Sequence, residues 1–411
     1  MITTRWSEAK ISIVLFVLAL AIRSLASVLL GISGPLSGDE PEYYRPAVSL
    51  AQGTGYSMVP QQSHDGQLRP TAYRMPGPAG ILAAVFLMLG PGITLGRIIS
   101  LVMSSLSAPL LYLYARRFVS FPSAIIAGLA CTLYPTHVYY SLSLVSEPYF
   151  IPALLLALLL TVHACESGQN WFSGLAGLAW GGATMMRPHG LPLAMLVAAY
   201  LTWKCGWQRG VLLLLGVACF LAPWIVRNQY NIGHPVFLAT EAGETLLGAN
   251  NPYIINDKKA CGIWTSPLRI AEYREHLWPI QDEVARNREQ TAMALSWLKQ
   301  NPDKIPKLVV RKLVCWLRPI TDSGGAIRYL VMSSYGVLLL LLASGVGIRV
   351  FKQSSALHFN LLCTVFFTAV TIVYHGGLTR GRLPLEIIWI PFAALAAWSI
   401  WNKMKVISVN S

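Results

Sequence analysis

Apolar runs of roughly 17 to 25 residues recur along this chain, the length that crosses a hydrocarbon core. No other feature narrows its folding options as far. In a lipid solvent every backbone polar group must be satisfied internally, so runs of this length fold as a bundle of helices. Composition agrees, with 54% of the 411 residues hydrophobic and only 12% charged, far from a soluble average. Spans are expected near 10–31, 94–115, 122–144, 148–165, 171–186, 188–203, 210–226, 328–348, 357–375 and 384–401. Residues 11–31 lack a small-residue cleavage site and outrun a signal sequence, so they read as a retained helix. Residues 79–92, AGILAAVFLMLGPG, are apolar but short. Counting them as a span would invert the placement of Arg116 and Arg117, so a re-entrant or juxtamembrane helix is expected there.

Sidedness follows from charge. With a cytoplasmic N-terminus, the short inner loops hold Arg5, Lys10, Arg116, Arg117, Lys204, Arg209, Arg349, Lys352, Lys403 and Lys405, as positive-inside topology requires. Both termini are then cytoplasmic. Of the 18 carboxylates, only Glu8 and Glu166 fall inside, so acid–base chemistry is expected on the extracytoplasmic face. The net charge of +14 is explained by this topology and by anionic membrane lipid, without a nucleic-acid partner. Seven cysteines show no metal-binding spacing. The chain divides into a first membrane module, 1–226, with an outer loop at 32–93, then an extracytoplasmic segment, 227–327, and final helices, 328–411. Within the segment, 304–318 places Ile305, Leu308, Val309, Leu313, Trp316 and Leu317 on one stripe, with Lys304, Lys307 and Arg311 opposite. Such a helix lies in the headgroup layer or packs on the protein's own surface.

Where the first span leaves the membrane the chain reads SGDEPEYYRPA, residues 37–47. Asp39 precedes Glu40 and Pro41, with Glu42 three residues on. The pattern fits an acidic helix cap as well as a catalytic carboxylate, and Tyr43 suits a membrane interface. Arginines beside prolines recur at the outer edge: Arg69 and Arg74 in QLRPTAYRMPGPAG, Arg380 and Arg382 in GGLTRGRLPLEI. A guanidinium fork suits phosphate, although arginines at helix ends also snorkel to headgroups. Glu147 in SLVSEPYF stands where a helix enters from the outer side, a position the helix dipole favours. Arg187 and His189 in MMRPHG form a further edge motif, whereas His137 and His163 read as structural.

Taken in order, these motifs resemble the GT-C glycosyltransferases. SGDEPEYY…AVSLAQGTGY…AYRMPGPAGILAA is similar to the first outer loop of bacterial relatives of dolichyl-phosphate-mannose–protein mannosyltransferases and of the lipid A aminoarabinose transferase. VSEPYF, MMRPHGLPL, APWIVRNQYNIGHPVFLATEAGETLLGANNP and TRGRLPLEIIWIPFAALAA follow in the family's order. The resemblance implies an all-α bundle of about ten membrane helices with a small extracytoplasmic segment. It further implies an inverting transferase moving a sugar from a polyprenyl-phosphate donor to an acceptor hydroxyl. Asp39 matches the catalytic base, Glu40 completes the Asp-Glu pair, and Arg74 matches a basic residue near the lipid phosphate; beside it, one or both of Arg380 and Arg382 are expected to hold the donor phosphate. Glu147, Arg187, His189 and Tyr43 shape the acceptor side. A divalent cation could sit among Asp39, Glu40 and Glu147, since hard cations accept carboxylate oxygens. The implied setting is a bacterial inner membrane, with a glycan, lipid or protein acceptor.

The chemistry needs these residue types. A sugar phosphate already has a good leaving group, so one carboxylate suffices to deprotonate the attacking hydroxyl; a hydrolase would need a pair. Pre-placed arginines stabilise the charge that gathers on the departing phosphate. Two rivals stand: a ligase or polymerase using a polyprenyl-diphosphate donor, and a transporter. A transporter predicts ionisable groups at midplane, and Arg23, toward the outer end of the first span, is the main charge inside one.

Overall fold

The computed structural model describes residues 2–60, 65–256, 262–318, 325–344, 355–376 and 379–410. The first membrane module holds α1 (Ile2–Leu30), α2 (Glu40–Ala51), α3 (Gly77–Leu89), α4 (Ile93–Ser105), α5 (Ser107–Ala115), α6 (Phe121–Leu133), α7 (Pro135–Ser141), α8 (Glu147–Ser167), α9 (Trp171–Met186), α10 (Gly190–Cys205) and α11 (Trp207–Ile232). Next come α12 (Ala242–Ala249), α13 (Pro252–Asn256), α14 (Ala271–Leu277), α15 (Glu283–Gln300) and α16 (Ile305–Leu317). The chain closes with α17 (Gly325–Ala343), α18 (Ser355–Val370), a π-turn at Thr371–His375 and α19 (Thr379–Asn410). Among the described residues, strand is limited to an antiparallel pair, β1 (Ser57–Met58) and β2 (Arg69–Pro70), with Ser57 opposite Pro70.

Seven helical stretches are long and apolar enough to span: Glu8–Leu30, Ile93–Ala115, Glu147–Ser167, Trp207–Ile232, Gly325–Ala343, Ser355–His375 and Arg380–Lys405. Each corresponds to an expected span, although 345–348 lie outside the described residues, as do Arg349 and Lys352 of the expected inner loops. The other three are shorter or broken. The run at 122–144 splits into α6 and α7 because Tyr134, before Pro135, is extended at φ −64° and ψ 110°, the conformation a following proline imposes. α9 and α10 have 16 residues each. The segment expected to be re-entrant forms α3, 13 residues that bury Ala79, Leu82, Ala83 and Phe86 and leave Leu87, Met88 and Leu89 exposed at the tip. α11 continues through Ile232, six residues beyond the expected boundary at 226.

Small residues let the helices touch. A Cβ on Gly177 of α9 would lie 2.2 Å from the Leu213 carbonyl oxygen, and one on Gly216 of α11 2.6 Å from the Leu178 nitrogen. Close approach through small residues is how helices associate where burial of apolar surface gives no driving force. α1 is peripheral: Leu15, Ala19 and Arg23, spaced four apart, are its buried stripe, while Ile13, Val14, Val17, Leu25, Val28 and Leu29 face outward. Arg23 is satisfied by neutral partners, with Nε donating to Ser104 Oγ (3.2 Å), Nη1 to the Ala19 and Thr132 carbonyls, and Nη2 meeting His137 Nδ1 (3.1 Å). His137 is thus a structural partner of Arg23.

α16 uses its faces differently from the expected stripe. Leu308, Lys312, Cys315 and Trp316 are buried against the bundle, while Val310, Val314 and Leu317 are exposed. The helix therefore packs on the protein through one face and offers a separate apolar edge outward.

Candidate active site

One end of the bundle gathers helix ends and the two long connecting segments, the one after α1 and the one after α11. α8, α10 and α19 start there, α9 and α18 finish there, and the loop carrying α2 lies beside them. They enclose a cavity of about 430 Å³ whose wall includes Asp39, Glu42, Tyr43, Tyr73, Arg74, Arg187, His189, Glu241, Glu244, Arg269, His375 and Arg380.

Asp39 holds the N-cap position of α2, but its side chain makes no capping hydrogen bond. The expected cap is absent because two arginines outbid the helix's backbone donors. Arg380 Nη1 lies 2.5 Å from Asp39 Oδ2, and Arg74 Nη2 lies 3.6 Å from the same oxygen. Burial works to raise the Asp39 carboxyl, but these guanidiniums outweigh it and hold the group below the usual aspartate value. Both approach Oδ2, so Oδ1 remains for another donor. The side chain is 35% exposed on the cavity wall.

Glu147, at the first position of α8, is 0% exposed. Arg380 grips it as a fork, Nε to Oε1 at 2.5 Å and Nη2 to Oε2 at 2.8 Å, and Arg187 Nη1 adds a contact at 3.1 Å. One guanidinium therefore bridges Asp39 and Glu147, which fixes α2, α8 and α19 relative to one another. Arg74 has its own set: Glu42 at 2.6 Å, Glu241, and the rings of Tyr43 and Tyr73 at 5.7 and 5.3 Å. Burial pushes Glu42 above the usual glutamate value, with Asp39 reinforcing the rise and Arg74 opposing it.

The backbone under Arg74 is held from α11 and from the segment that follows it. Arg227 Nη1 donates to the Thr71 carbonyl (2.8 Å), and Glu283 accepts from Thr71 Oγ1 (2.7 Å) and the Ala72 N–H (2.6 Å). The Thr240 N–H bonds the Ala72 carbonyl (2.9 Å), and Tyr73 donates to Glu244 (2.8 Å).

Of the residues picked from sequence, Asp39, Tyr43, Arg74, Arg187, His189 and Arg380 line this cavity, and Glu147 lies directly behind it. Glu40 and Arg382 do not line it. Glu40 turns into the bundle, where Arg97 binds both its oxygens (2.9 and 2.5 Å) and the Leu144 and Ser37 N–H groups complete its shell. Arg382 is buried against Glu386, the Trp316 and Arg318 carbonyls and the Tyr335 ring. Both residues hold structure where a role at the reacting centre was expected. Arg69 pairs with Asp65 on the surface at 2.7 Å. The carboxylates expected to hold a cation do not converge: Glu40 faces away and the other two are occupied by arginine. Among the described residues no cluster of three His, Cys, Asp or Glu side chains is set to hold a metal.

Six of these wall residues are not among the sequence candidates: Glu42, Tyr73, Glu241, Glu244, Arg269 and His375. Glu42 was readable, being one turn from Asp39 on α2 and so on the same face. Glu241, Glu244 and His375 come from distant segments without a local motif.

Residues 73–226 match the family model described as dolichyl-phosphate-mannose-protein mannosyltransferase, a region that includes Arg74, Glu147 and Arg187 but not Asp39. The fold is similar to the oligosaccharyltransferase AglB from Archaeoglobus fulgidus solved with an inhibitory peptide and a dolichol-phosphate. That likeness has a TM-score of 0.60 and 11% identity, and covers 99% of this chain and 52% of that one. An oligosaccharyltransferase from the same organism, tethered to an acceptor peptide, gives 0.58 and 12%, covering 99% and 51%. This chain thus spans about half the length of those proteins. ArnT from Cupriavidus metallidurans bound to undecaprenyl phosphate aligns over 94% of this chain and 78% of that one, with a TM-score of 0.42 and 14% identity. A search of curated protein sequences finds no significant match.

Proposed function

Taking as its premise that this chain carries the GT-C fold, we propose that it is an inverting glycosyltransferase. It moves a sugar from a polyprenyl-phosphate donor to an acceptor hydroxyl on the extracytoplasmic face of the membrane. The observation that carries this reading is Asp39: a carboxylate on a cavity wall with one oxygen held by Arg380 and Arg74 and the other open.

In this mechanism Asp39 Oδ1 accepts the proton of the acceptor hydroxyl as that oxygen attacks the anomeric carbon from the face opposite the phosphate. The bond to the phosphate oxygen breaks with its electron pair, giving inversion and a free polyprenyl phosphate. No general acid is required, because the leaving group departs as an anion. Arg74, Arg187 and Arg380 stabilise the charge it gains. Their carboxylate partners keep all three in place before substrate arrives, so little reorganisation is left for the reaction step. Glu40 and Arg382 act by holding the scaffold.

Positive-inside charge supports cytoplasmic termini and an extracytoplasmic cavity, in a bacterial inner membrane. The acceptor is a glycan, a lipid or a protein, and a panel of the three separates them. The likeness to an oligosaccharyltransferase fold favours one second reading, a donor carrying an oligosaccharide on diphosphate.

The test is sugar transfer from labelled polyprenyl-phosphate donor by purified protein in vesicles. Asp39→Asn is expected to lose about 10²- to 10⁴-fold in rate, the usual contribution of a general base. A stably inserted Asp39→Asn protein that transfers at the wild-type rate would refute the mechanism. Accumulation of solute inside the vesicles, without release of polyprenyl phosphate, would favour a transporter.

A further inference from the structure

His375 was not among the residues picked from sequence, yet three features build it into the cavity wall. It closes the π-turn at Thr371–His375, and π-turns are frequent at functional sites. That turn is gripped from the outer segment: buried Lys312 donates to the Ile372 carbonyl (2.7 Å) and to Asn250 Oδ1 (2.9 Å), while Asn250 Nδ2 donates to the Val373 carbonyl (2.9 Å). Beyond the turn, Gly376 has φ +64° and pairs with Ile263. The ring of His375 then stacks on His189 with centroids 4.9 Å apart and planes 11° from parallel, and the two Nε2 atoms meet at 3.0 Å.

An Nε2–Nε2 hydrogen bond requires one ring to donate and the other to accept, so the two imidazoles hold opposite tautomers. His189 Nδ1 is enclosed without a partner. Were His189 the acceptor, its proton would sit on that Nδ1, leaving an orphaned buried N–H. The reverse arrangement buries only a lone pair, and orphaned N–H groups are the rarer and costlier case. His189 therefore donates and His375 accepts through Nε2, which places the second proton on His375 Nδ1. His375 lines the cavity beside Arg187 and Arg380, and Nδ1 is the nitrogen it has left to offer.

We infer that His375 presents a neutral Nδ1–H to the cavity as a hydrogen-bond donor for the lipid phosphate of the donor substrate, with His189 fixing its tautomer. The inference rests on the function proposed above and names a further residue of the same site. The chemistry is complementary to that of the arginines. Arg74, Arg187 and Arg380 are each shared with carboxylates, whereas among the described residues nothing holds this N–H, and it adds no charge to a crowded site. It gains strength as the phosphate passes from a singly charged diester toward a doubly charged monoester.

The experiment titrates undecaprenyl phosphate into the full chain in phosphatidylcholine nanodiscs, so that no other phosphate monoester is present, and reads affinity by native mass spectrometry. His375→Asn keeps an amide N–H close to the Nδ1 position, and His375→Gln keeps one close to Nε2. Asn is expected to bind within about threefold of wild type, and Gln and Leu about tenfold or more weaker, the scale of a lost hydrogen bond to a charged group. In selectively labelled protein, the His375 ¹⁵Nδ1 resonance should report a bound proton and shift when the lipid is added. Unweakened binding by His375→Leu, or rescue by Gln and not by Asn, overturns the inference. If His375→Leu fails to fold, the Asn and Gln pair still decides. A wild-type protein that does not bind the lipid overturns the proposed function as well, which separates the two failures.

Discussion

Helix α8 carries a glutamate near each end, and the two make the same kind of contact with opposite consequences. At its start, Glu147 is fully buried between Arg380 and Arg187. At its other end Glu166 meets Arg117 at 3.1 Å, with 42% and 37% of the two side chains exposed. Nearby, Arg116 and Glu8 pair at 3.4 Å with similar exposure. Water screens the second set, whereas in the first the Glu147 carboxylate is out of its reach. An exposed pair contributes about 0–1 kcal/mol, whereas each charge of a buried set depends on the others to offset its desolvation. The buried end is thus a preorganised electrostatic device, and the exposed end is a solvated surface.

Substitution can break that contrast. Glu147→Gln removes a charge on which two guanidiniums depend, and unfolding in mixed micelles should show a loss of about 3–5 kcal/mol, the cost of leaving buried charge unpaired. A loss below ~1 kcal/mol would mean that water enters this end too. A smaller effect is expected from acid. In the proposed mechanism Asp39 acts deprotonated, and its carboxyl is held below the usual value, so kcat/KM should stay flat through ordinary carboxylate pH and fall only at lower pH. Arg74→Met removes one of the two cations responsible, and the acid limb should move up in pH. An unmoved limb would assign it to another group. Smallest of all, Glu166→Gln should change stability by no more than about 0.5 kcal/mol after screening by water and salt. The same micelle titration reads it, and a larger shift would contradict the contrast.

The spans were legible because apolar length is a one-dimensional property. Asp39, Arg74, Glu147, Arg187 and Arg380 were legible because a carboxylate or arginine beside a proline at a helix end is a local pattern. Direction was not. Asp39 and Glu40 are adjacent, yet one faces the cavity and the other Arg97. Arg380 and Arg382 are two residues apart on α19, about 200° around a helix, so only one can reach the cavity. Sequence marks such pairs as equivalent, and packing separates them. His375 was hidden for another reason: a π-turn held by side chains from α12 and α16 brings it to His189, and no local sequence encodes that.

Lys312 records the same history in a titration. Burial lowers its ammonium to about 7, below the value it has when unfolded. The unfolded chain therefore binds the extra proton between about 7 and that value, and this group adds stability as pH rises across the window.

Arg97 gives the first outer loop its mechanical character. Besides both oxygens of Glu40, its guanidinium holds the carbonyls of Ile32, Gly34 and Pro35 at 2.7–2.9 Å. A loop riveted at four residues to a membrane helix is no longer a loop in the dynamic sense. Asp39, next to Glu40, is thereby tied to α4 as well as to Arg380 of α19.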